Sequence, residues 1–322
     1  MGTSGSGPAG ASILGAGILL AILTAVVSGV STFVNSYAVG ATNSDAFVTA
    51  RNVVVALALV PVFFATAYRP ARARLRTPDW ARLVAIGVVG GGIPFLLFFH
   101  GLQLATAAGG GLTASFLYRT LFVPATVLGF VVLRERVRWT TALAAGLLLA
   151  GNALLLALTT PVWTDGAAFV LAATGLWAVE YTISKRTLRD LPSATVALGR
   201  MGFGAVFLVG YLAVTQQFAA VGAFSSGQWT WVLVSALLLT AFVATWYAAL
   251  KRVDLGVATA ILVLGFPVTW LLYVLVRGSA TTALEFGGAV AVTVGVAVAL
   301  GPAGWRALRE FVRTSTAPRA VA

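Results

Sequence analysis

Long apolar segments separated by short polar ones run along almost the whole chain. A helix needs roughly 20 apolar residues to cross the ~30 Å hydrocarbon core of a bilayer, and ten segments meet that length. They are 13–38, 45–67, 83–104, 112–133, 139–160, 166–185, 194–214, 229–250, 257–276 and 284–301. The pattern therefore predicts an all-α integral membrane protein with ten transmembrane helices.

Basic residues lie in alternate polar segments, which predicts the orientation. Most of the 21 Lys and Arg residues follow the second, fourth, sixth, eighth and tenth apolar segments. They are Arg69, Arg72, Arg74, Arg76, Arg82, Arg134, Arg136, Arg138, Lys185, Arg186, Arg189, Lys251, Arg252, Arg306, Arg309, Arg313 and Arg319. Because basic loops remain in the cytoplasm, both termini are predicted to be cytoplasmic, which also requires an even number of spans.

The amino-acid composition limits the kinds of partner that the protein is expected to have. Charged residues make up 9% of the chain and the net charge is +12, which the alternating basic loops explain without nucleic acid. The expected partner of these loops is a bilayer with anionic headgroups on its cytoplasmic side. The absence of Cys excludes disulfides and thiolate metal ligands, and neither a metal nor a cofactor is expected. The sequence leaves a homodimer open.

The two halves of the chain align with each other. A shift of 149 residues places Arg51 on Arg200, and a shift of 143 places Pro124 on Pro267. Five spans in each copy give the copies opposite orientations, and such inverted repeats place a substrate site near the bilayer midplane and permit alternating access. The predicted domains are a flexible tail 1–12, two repeats, 13–160 and 161–301, and a basic cytoplasmic tail 302–322. The last tail is either an interfacial helix, with Trp305, Leu308 and Phe311 facing lipid, or a solvated segment.

These features resemble the EamA domains of the drug/metabolite transporter superfamily. Besides the paired Arg and Pro residues, Glu135 follows Pro124 by eleven residues, close to the family's P…GE…G…G ending. In the second half, Gly278 stands in place of the Glu, while Gly287, Gly288 and Gly295 keep the small residues. The resemblance covers about 13–301 and implies carrier-type transport, often export of small metabolites or amino acids, without specifying the substrate.

Polar residues on one face of the first predicted helix suggest either close helix packing or a cavity. They are Thr24, Ser28, Ser31, Thr32 and Asn35. Their counterparts in the sixth segment are Ala173, Trp177, Glu180, Tyr181 and Ser184. Agreement between the two copies favours a shared cavity. Glu180 is the one acid well inside a predicted span, and three roles remain open for it: an ion pair with Arg200, proton or substrate coupling, or contact with headgroups or Lys185.

Two further arginines enter predicted spans from the outer side. Arg51 and Arg119, with His100 and Gln103 near the outer end of the third segment, are candidates for an electropositive pocket that takes a carboxylate or phosphate. The alternative is that both arginines extend to the headgroups. The predicted substrate-binding residues are Ser31, Asn35, Arg51, Asn52 and Arg119. Pro124 and Pro267, in the middle of their spans, are predicted hinges or simple kinks.

The sequence therefore favours a secondary transporter in the cell membrane that exports a small polar metabolite by alternating access. ATP-driven pumping is not expected, because the chain lacks a nucleotide-binding loop. One alternative is a membrane-embedded enzyme, which the single His and the single acid within a span disfavour. The other is a membrane sensor or structural protein that does not transport.

Overall fold

The computed structural model of the chain describes residues 8–39, 42–66, 75–108, 111–136, 139–156 and 165–316. Its regular elements within these ranges are helices, with a π-helical turn (Gly87–Gly92) between α3 and α4. The helices are α1 (Pro8–Ala38), α2 (Ser44–Thr66), α3 (Thr77–Ile86), α4 (Ile93–Ala107), α5 (Gly111–Arg119), α6 (Phe122–Leu133), α7 (Trp139–Leu155), α8 (Ala167–Thr187), α9 (Ser193–Val214), α10 (Phe218–Gly222), α11 (Ser226–Leu250), α12 (Leu255–Leu262), α13 (Gly265–Arg277) and α14 (Ala283–Thr316).

Nine helical segments in the described part of the chain are long and apolar enough to cross a membrane. Three of them combine two helices each: Thr77–Ala107, Thr113–Leu133 and Leu255–Arg277. The fifth predicted span, 139–160, corresponds to the shorter apolar helix α7, and residues 157–160 lie outside the described ranges. The same holds for the basic residues Arg69, Arg72, Arg74, Arg138 and Arg319. The chain is a multi-pass membrane protein, and the regular elements of its described part are helical.

Helix α14 continues beyond the predicted end of the last span. The backbone at Gly301 has φ 60° and ψ −179°, a conformation that glycine adopts without steric cost. Pro302 then begins a second helical piece, which extends to Thr316. Of the residues expected to face lipid there, Trp305 is exposed, whereas Phe311 packs on Gly15 of α1, whose added Cβ would lie 2.6 Å from the Cβ of Phe311. The tail is thus helical, and part of it packs on the bundle.

Helices of the two halves pack directly on one another. The main helix pairs are α1 with α11, α1 with α14, α2 with α9, α4 with α8, and α7 with α14. Small residues allow the last pair to approach closely, since a Cβ added to Gly151 would lie 2.8 Å from the carbonyl oxygen of Gly288. This packing places the buried core, and the cavity described below, between the two repeats.

In the fourth and ninth predicted spans the helical hydrogen bonding is interrupted, because backbone N–H groups there bond to the carbonyl three residues earlier instead of four, while the backbone keeps right-handed helical angles. We call each interruption a break. The first break separates α5 from α6 at residues 120–121, and the second separates α12 from α13 at residues 263–264. Pro124 and Pro267 lie in the first turn of α6 and α13, where a missing backbone N–H costs little. The bend expected at each proline is therefore a break that precedes it, at matching positions in the two halves.

Candidate substrate-binding cavity

A cavity of about 50 Å³ lies between the two halves of the molecule. We call it the inter-repeat cavity. Its lining residues are Ser28, Ser31, Thr32 and Asn35 of α1, Arg51 of α2, Phe95, Phe98 and Phe99 of α4, Tyr118 of α5, Trp177 and Tyr181 of α8, Arg200 of α9, and Leu239 and Phe242 of α11. This volume holds a few water molecules and is well below the roughly 300–1,000 Å³ of small-molecule sites. A metabolite therefore requires the cavity to widen.

The polar face of α1 serves both of the roles that the sequence left open. Four of its five residues line the cavity. The fifth, Thr24, instead lies with its Oγ1 2.7 Å from Leu20 O and 2.8 Å from Thr245 Oγ1, within hydrogen-bonding distance of both, so it serves helix packing. Asn35 is held in place because its Nδ2 donates to Ser31 Oγ at 3.2 Å and its Oδ1 accepts from Ser235 Oγ at 2.6 Å.

Arg51 lies inside the protein and does not extend to the headgroups, since its side chain is 1% exposed. Its Nε and Nη2 donate to Asn52 Oδ1 at 3.0 and 2.8 Å, and Asn52 Nδ2 donates to Gly91 O at 3.0 Å. The guanidinium carbon lies 4.3 and 4.7 Å from the ring centres of Phe99 and Phe95. Asn52 does not line the cavity; it orients the arginine that does.

The π-helical turn Gly87–Gly92 supplies the backbone acceptors for this region. A π-turn interrupts the regular helical hydrogen bonding. Gly90 O accepts hydrogen bonds from Trp177 Nε1 at 3.0 Å and from Arg200 Nη2 at 3.1 Å. Glycine is required at position 91, since an added Cβ would collide with the backbone oxygen of Arg200. Gly91 therefore permits the close approach of the π-helical turn to α9.

Glu180 and Arg200 form a buried ion pair behind the cavity wall. Arg200 Nε lies 3.6 Å from Glu180 Oε2, and both side chains are almost fully inaccessible. Glu180 Oε1 also accepts hydrogen bonds from Tyr247 Oη at 2.6 Å and from Ser184 Oγ. Glu180 does not reach Lys185, whose Nζ donates to Leu250 O and Val253 O, each at 2.7 Å. Arg200 lines the cavity and Glu180 does not.

Arg119 does not share the cavity with Arg51, contrary to the expectation of one common pocket. It is 1% exposed, and its Nη1 donates to Ser28 Oγ at 3.1 Å and to Leu262 O at 2.9 Å. The break after Leu262 frees that carbonyl, and the guanidinium packs on Gly265, whose added Cβ would lie 2.6 Å from Arg119 Cζ. Nε and Nη2 of Arg119 have no hydrogen-bond partner.

The two polar residues expected near Arg51 and Arg119 also lie elsewhere. His100 is exposed and packs its ring edge-on against Phe169, with 4.8 Å between the ring centres. Gln103 Nε2 donates to Val39 O at 3.1 Å and to Thr42 O at 2.9 Å, which ties α4 to the end of α1. Neither residue lines the inter-repeat cavity.

Comparison with known proteins agrees with this two-repeat architecture. The model of the EamA-like transporter family matches residues 15–157 and again residues 164–301. The chain belongs to the EamA-like transporter family. A solved crystal structure has the same fold with a TM-score of 0.69 and 19% identity, over 90% of this chain and 96% of the other. None of the curated proteins matches the chain.

In this EamA-like transporter, the glutamate of the family motif links the two repeats. Glu135, just after α6, accepts hydrogen bonds from the backbone N–H groups of Leu255 at 2.8 Å and Gly256 at 3.2 Å. It thereby caps α12 of the other half. Burial raises the pKa of Glu135 despite these hydrogen bonds. The motif identified the residue, but its partners are about 120 positions away in the sequence, so its role could not be inferred.

Glu135 also borders a second cavity, of about 240 Å³, between α6, α7, α12 and α14. Arg136 and Asp254 also line this cavity, and the rest of the lining is mostly apolar. Among the described residues, no group of three or more His, Cys, Asp or Glu side chains is placed to hold a metal ion.

Proposed function

We propose that this EamA-like transporter is a secondary carrier in the cell membrane that exports a small polar metabolite. It works without ATP, by alternating access between two inverted five-helix repeats, 13–160 and 161–301. The observation that carries this proposal is the inter-repeat cavity, whose polar and aromatic lining comes from helices of both halves. Buried polar residues in membrane-spanning helices are costly and mark transport pathways.

The topology that we propose has ten spans, with α7 as the fifth, and cytoplasmic termini. The short helix α7 packs along α14 as a member of the bundle. With this topology the basic loops and the tail 302–322 face a cytoplasmic leaflet with anionic headgroups. Cysteine labelling tests this topology. The chain has no Cys, so a single Cys can be introduced by Ala322→Cys. If the C-terminus is cytoplasmic, this Cys should react with a membrane-impermeant maleimide only after the cells are permeabilised.

Within the site, we assign substrate contact to Ser31, Asn35 and Arg51. Asn52 orients Arg51, and Arg119 connects the fourth span to the break in the ninth. The paired breaks before Pro124 and Pro267 are the hinges at which the half-helices move, because half-helices at matching repeat positions are a common feature of such carriers. A cavity of about 50 Å³ is then a contracted conformation that widens and opens alternately to each side.

Counterflow in liposomes tests the proposal. The purified full-length chain is reconstituted, the vesicles are loaded with candidate metabolites, and entry of the same labelled compound is followed without ATP. A carrier accelerates this exchange saturably for at least one compound. Arg51→Ala should abolish it, whereas Arg309→Gln, which changes an exposed arginine of the tail helix, should not. If no member of a panel of amino acids, organic acids, sugars and nucleosides exchanges faster than in empty vesicles, the carrier proposal fails.

A further inference from the structure

The buried charges of the described residues do not balance. Three arginines are 1% exposed: Arg51, Arg119 and Arg200. Glu180, 0% exposed, is the one acid buried with them. It lies within ion-pair distance of Arg200 and of neither other arginine. Two positive charges buried inside the protein therefore lack a counter-charge, although an unpaired buried charge is costly.

The contacts of Arg51 and Arg119 are all electrically neutral. Arg51 meets the amide oxygen of Asn52 and two phenylalanine rings. Arg119 meets a hydroxyl group, a backbone carbonyl and the ring of Tyr118, 4.9 Å from its guanidinium carbon. Its Nε and Nη2, which form one edge of the guanidinium plane, are buried without hydrogen bonds. These neutral groups stabilise a buried cation only in part, and they do not neutralise its positive charge.

The uncompensated charge acts on the inter-repeat cavity. Arg51 and Arg200 both line it, and both lie against the ring of Phe95, at 4.7 and 5.5 Å from its centre. Arg119 reaches the cavity wall through Ser28. Glu180, the one buried acid among the described residues, lies outside the lining; its Oε1 accepts hydrogen bonds from Tyr247 and Ser184, and its Oε2 faces Arg200. The interior of the cavity is therefore electropositive.

We propose that the substrate is a small organic monocarboxylate with an apolar or aromatic body. This inference rests on the proposed function and names the substrate class of the same site. The carboxylate binds Arg51, for which a guanidinium offers paired donors, and Asn35 and Ser31 offer further polar contacts. The body packs against the aromatic wall formed by residues such as Phe98, Trp177 and Phe242. A free ammonium group on the substrate would meet no carboxylate there, so simple carboxylates are preferred to amino acids.

Three ligands with the same ring and different charges test this proposal: benzoate, benzamide and benzylammonium. Their binding to the purified full-length protein is measured by thermal shift and calorimetry, with phenylalanine as the zwitterionic comparison. Benzoate should raise the unfolding midpoint and bind at least tenfold more tightly than the other three. Equal or tighter binding of benzamide or benzylammonium would overturn the proposal, and so would silence of all four on folded protein.

Substitutions of Arg51 test whether benzoate binds at the assigned site. Arg51→Gln should weaken benzoate binding at least tenfold, Arg51→Lys should weaken it less because the charge is retained, and the control Arg309→Gln should leave it unchanged. Unliganded midpoints and gel-filtration profiles show whether each variant folds. If Arg51→Gln does not fold, the comparison of the four ligands on the unmodified chain still tests the proposed substrate class. Benzoate binding that is unaffected in folded Arg51→Gln contradicts the assigned site.

Counterflow with the same compounds separates this inference from the proposed function. Saturable exchange of benzylammonium or benzamide, but not of benzoate, would preserve the carrier and refute the anionic substrate. Binding of benzoate at Arg51 without exchange of any compound would preserve the anion site and refute the carrier. Exchange of benzoate that is lost in Arg51→Gln supports both.

Discussion

Arg119 donates a hydrogen bond from Nη1 to the carbonyl oxygen of Leu262, over 2.9 Å. The arginine ends α5 in the first repeat, and the leucine ends α12 in the second. Each lies next to the break in its own span, so this contact connects the two broken helices. If the backbone moves at either break, the other break must move with it or this hydrogen bond must be lost.

Gly265→Ala should displace the Arg119 guanidinium. The added Cβ would lie 2.5 to 2.7 Å from three atoms of that group, and moving the guanidinium would stretch or break its hydrogen bonds to Ser28 and Leu262. We expect a loss of about 1–3 kcal/mol in stability, as for overpacking in a close-packed core, measured as a lower unfolding midpoint in detergent. Gly287→Ala is the matched control, since nothing lies within 4 Å of its Cβ; an equal effect of the two substitutions would refute the argument.

Glu180→Gln should destabilise the protein by about 3–5 kcal/mol, because it leaves Arg200 buried without a counter-charge. Thermal unfolding and the yield of folded protein measure the loss. The double variant Glu180→Gln/Arg200→Gln should recover part of it, since no lone charge remains. A Glu180→Gln variant that is as stable as the unmodified chain but no longer transports in response to a pH gradient would instead assign Glu180 to proton coupling.

Asn52→Asp should reduce benzoate binding at least tenfold. The new carboxylate would lie about 3 Å from Arg51 Nε and Nη2, where Asn52 Oδ1 now accepts both hydrogen bonds, and it would neutralise the charge that attracts the anion. Calorimetry with benzoate measures the effect. Asn52→Ala leaves the charge of Arg51 intact and should weaken binding less. Undiminished affinity in Asn52→Asp would show that Arg51 does not hold the carboxylate.

The cap formed by Glu135 should depend on pH. Burial raises the pKa of this carboxyl group above its usual 4.5 in the folded protein, so the folded state binds the proton more tightly than the unfolded state does. The contribution of Glu135 to stability is then complete below pH 4.5 and decreases as the pH rises through the raised value. The unfolding midpoint of the unmodified chain should therefore fall more steeply over this range than that of Glu135→Gln.

Glu285→Gln provides the control for that comparison. Glu285 accepts a hydrogen bond from the backbone N–H of Thr282 at the exposed start of α14, so this variant also removes a carboxylate from a helix terminus. Parallel midpoint curves for Glu135→Gln and the unmodified chain would contradict the prediction.

The sequence by itself determined the membrane-spanning segments, the internal repeat and the polar face of α1. These features are local, because the thickness of the hydrocarbon core sets the length of each apolar segment and the helical period sets which residues share a face. Nine predicted spans coincide with helices long enough to cross a membrane, and the fifth with the shorter helix α7. The positions of the helix breaks were also indicated, within one turn, by Pro124 and Pro267.

Only the tertiary structure decided which buried groups meet. Arg51 and Arg119 are both buried arginines of the first repeat, yet one lines the inter-repeat cavity and the other contacts the break of the opposite repeat. The cap on α12 by Glu135 and the hydrogen bonds to the π-helical turn likewise join residues far apart in the chain. A buried donor or acceptor needs a hydrogen-bond partner, and the packing of the helices decides which group comes within reach. The sequence pattern does not show which residues of different helices come close together.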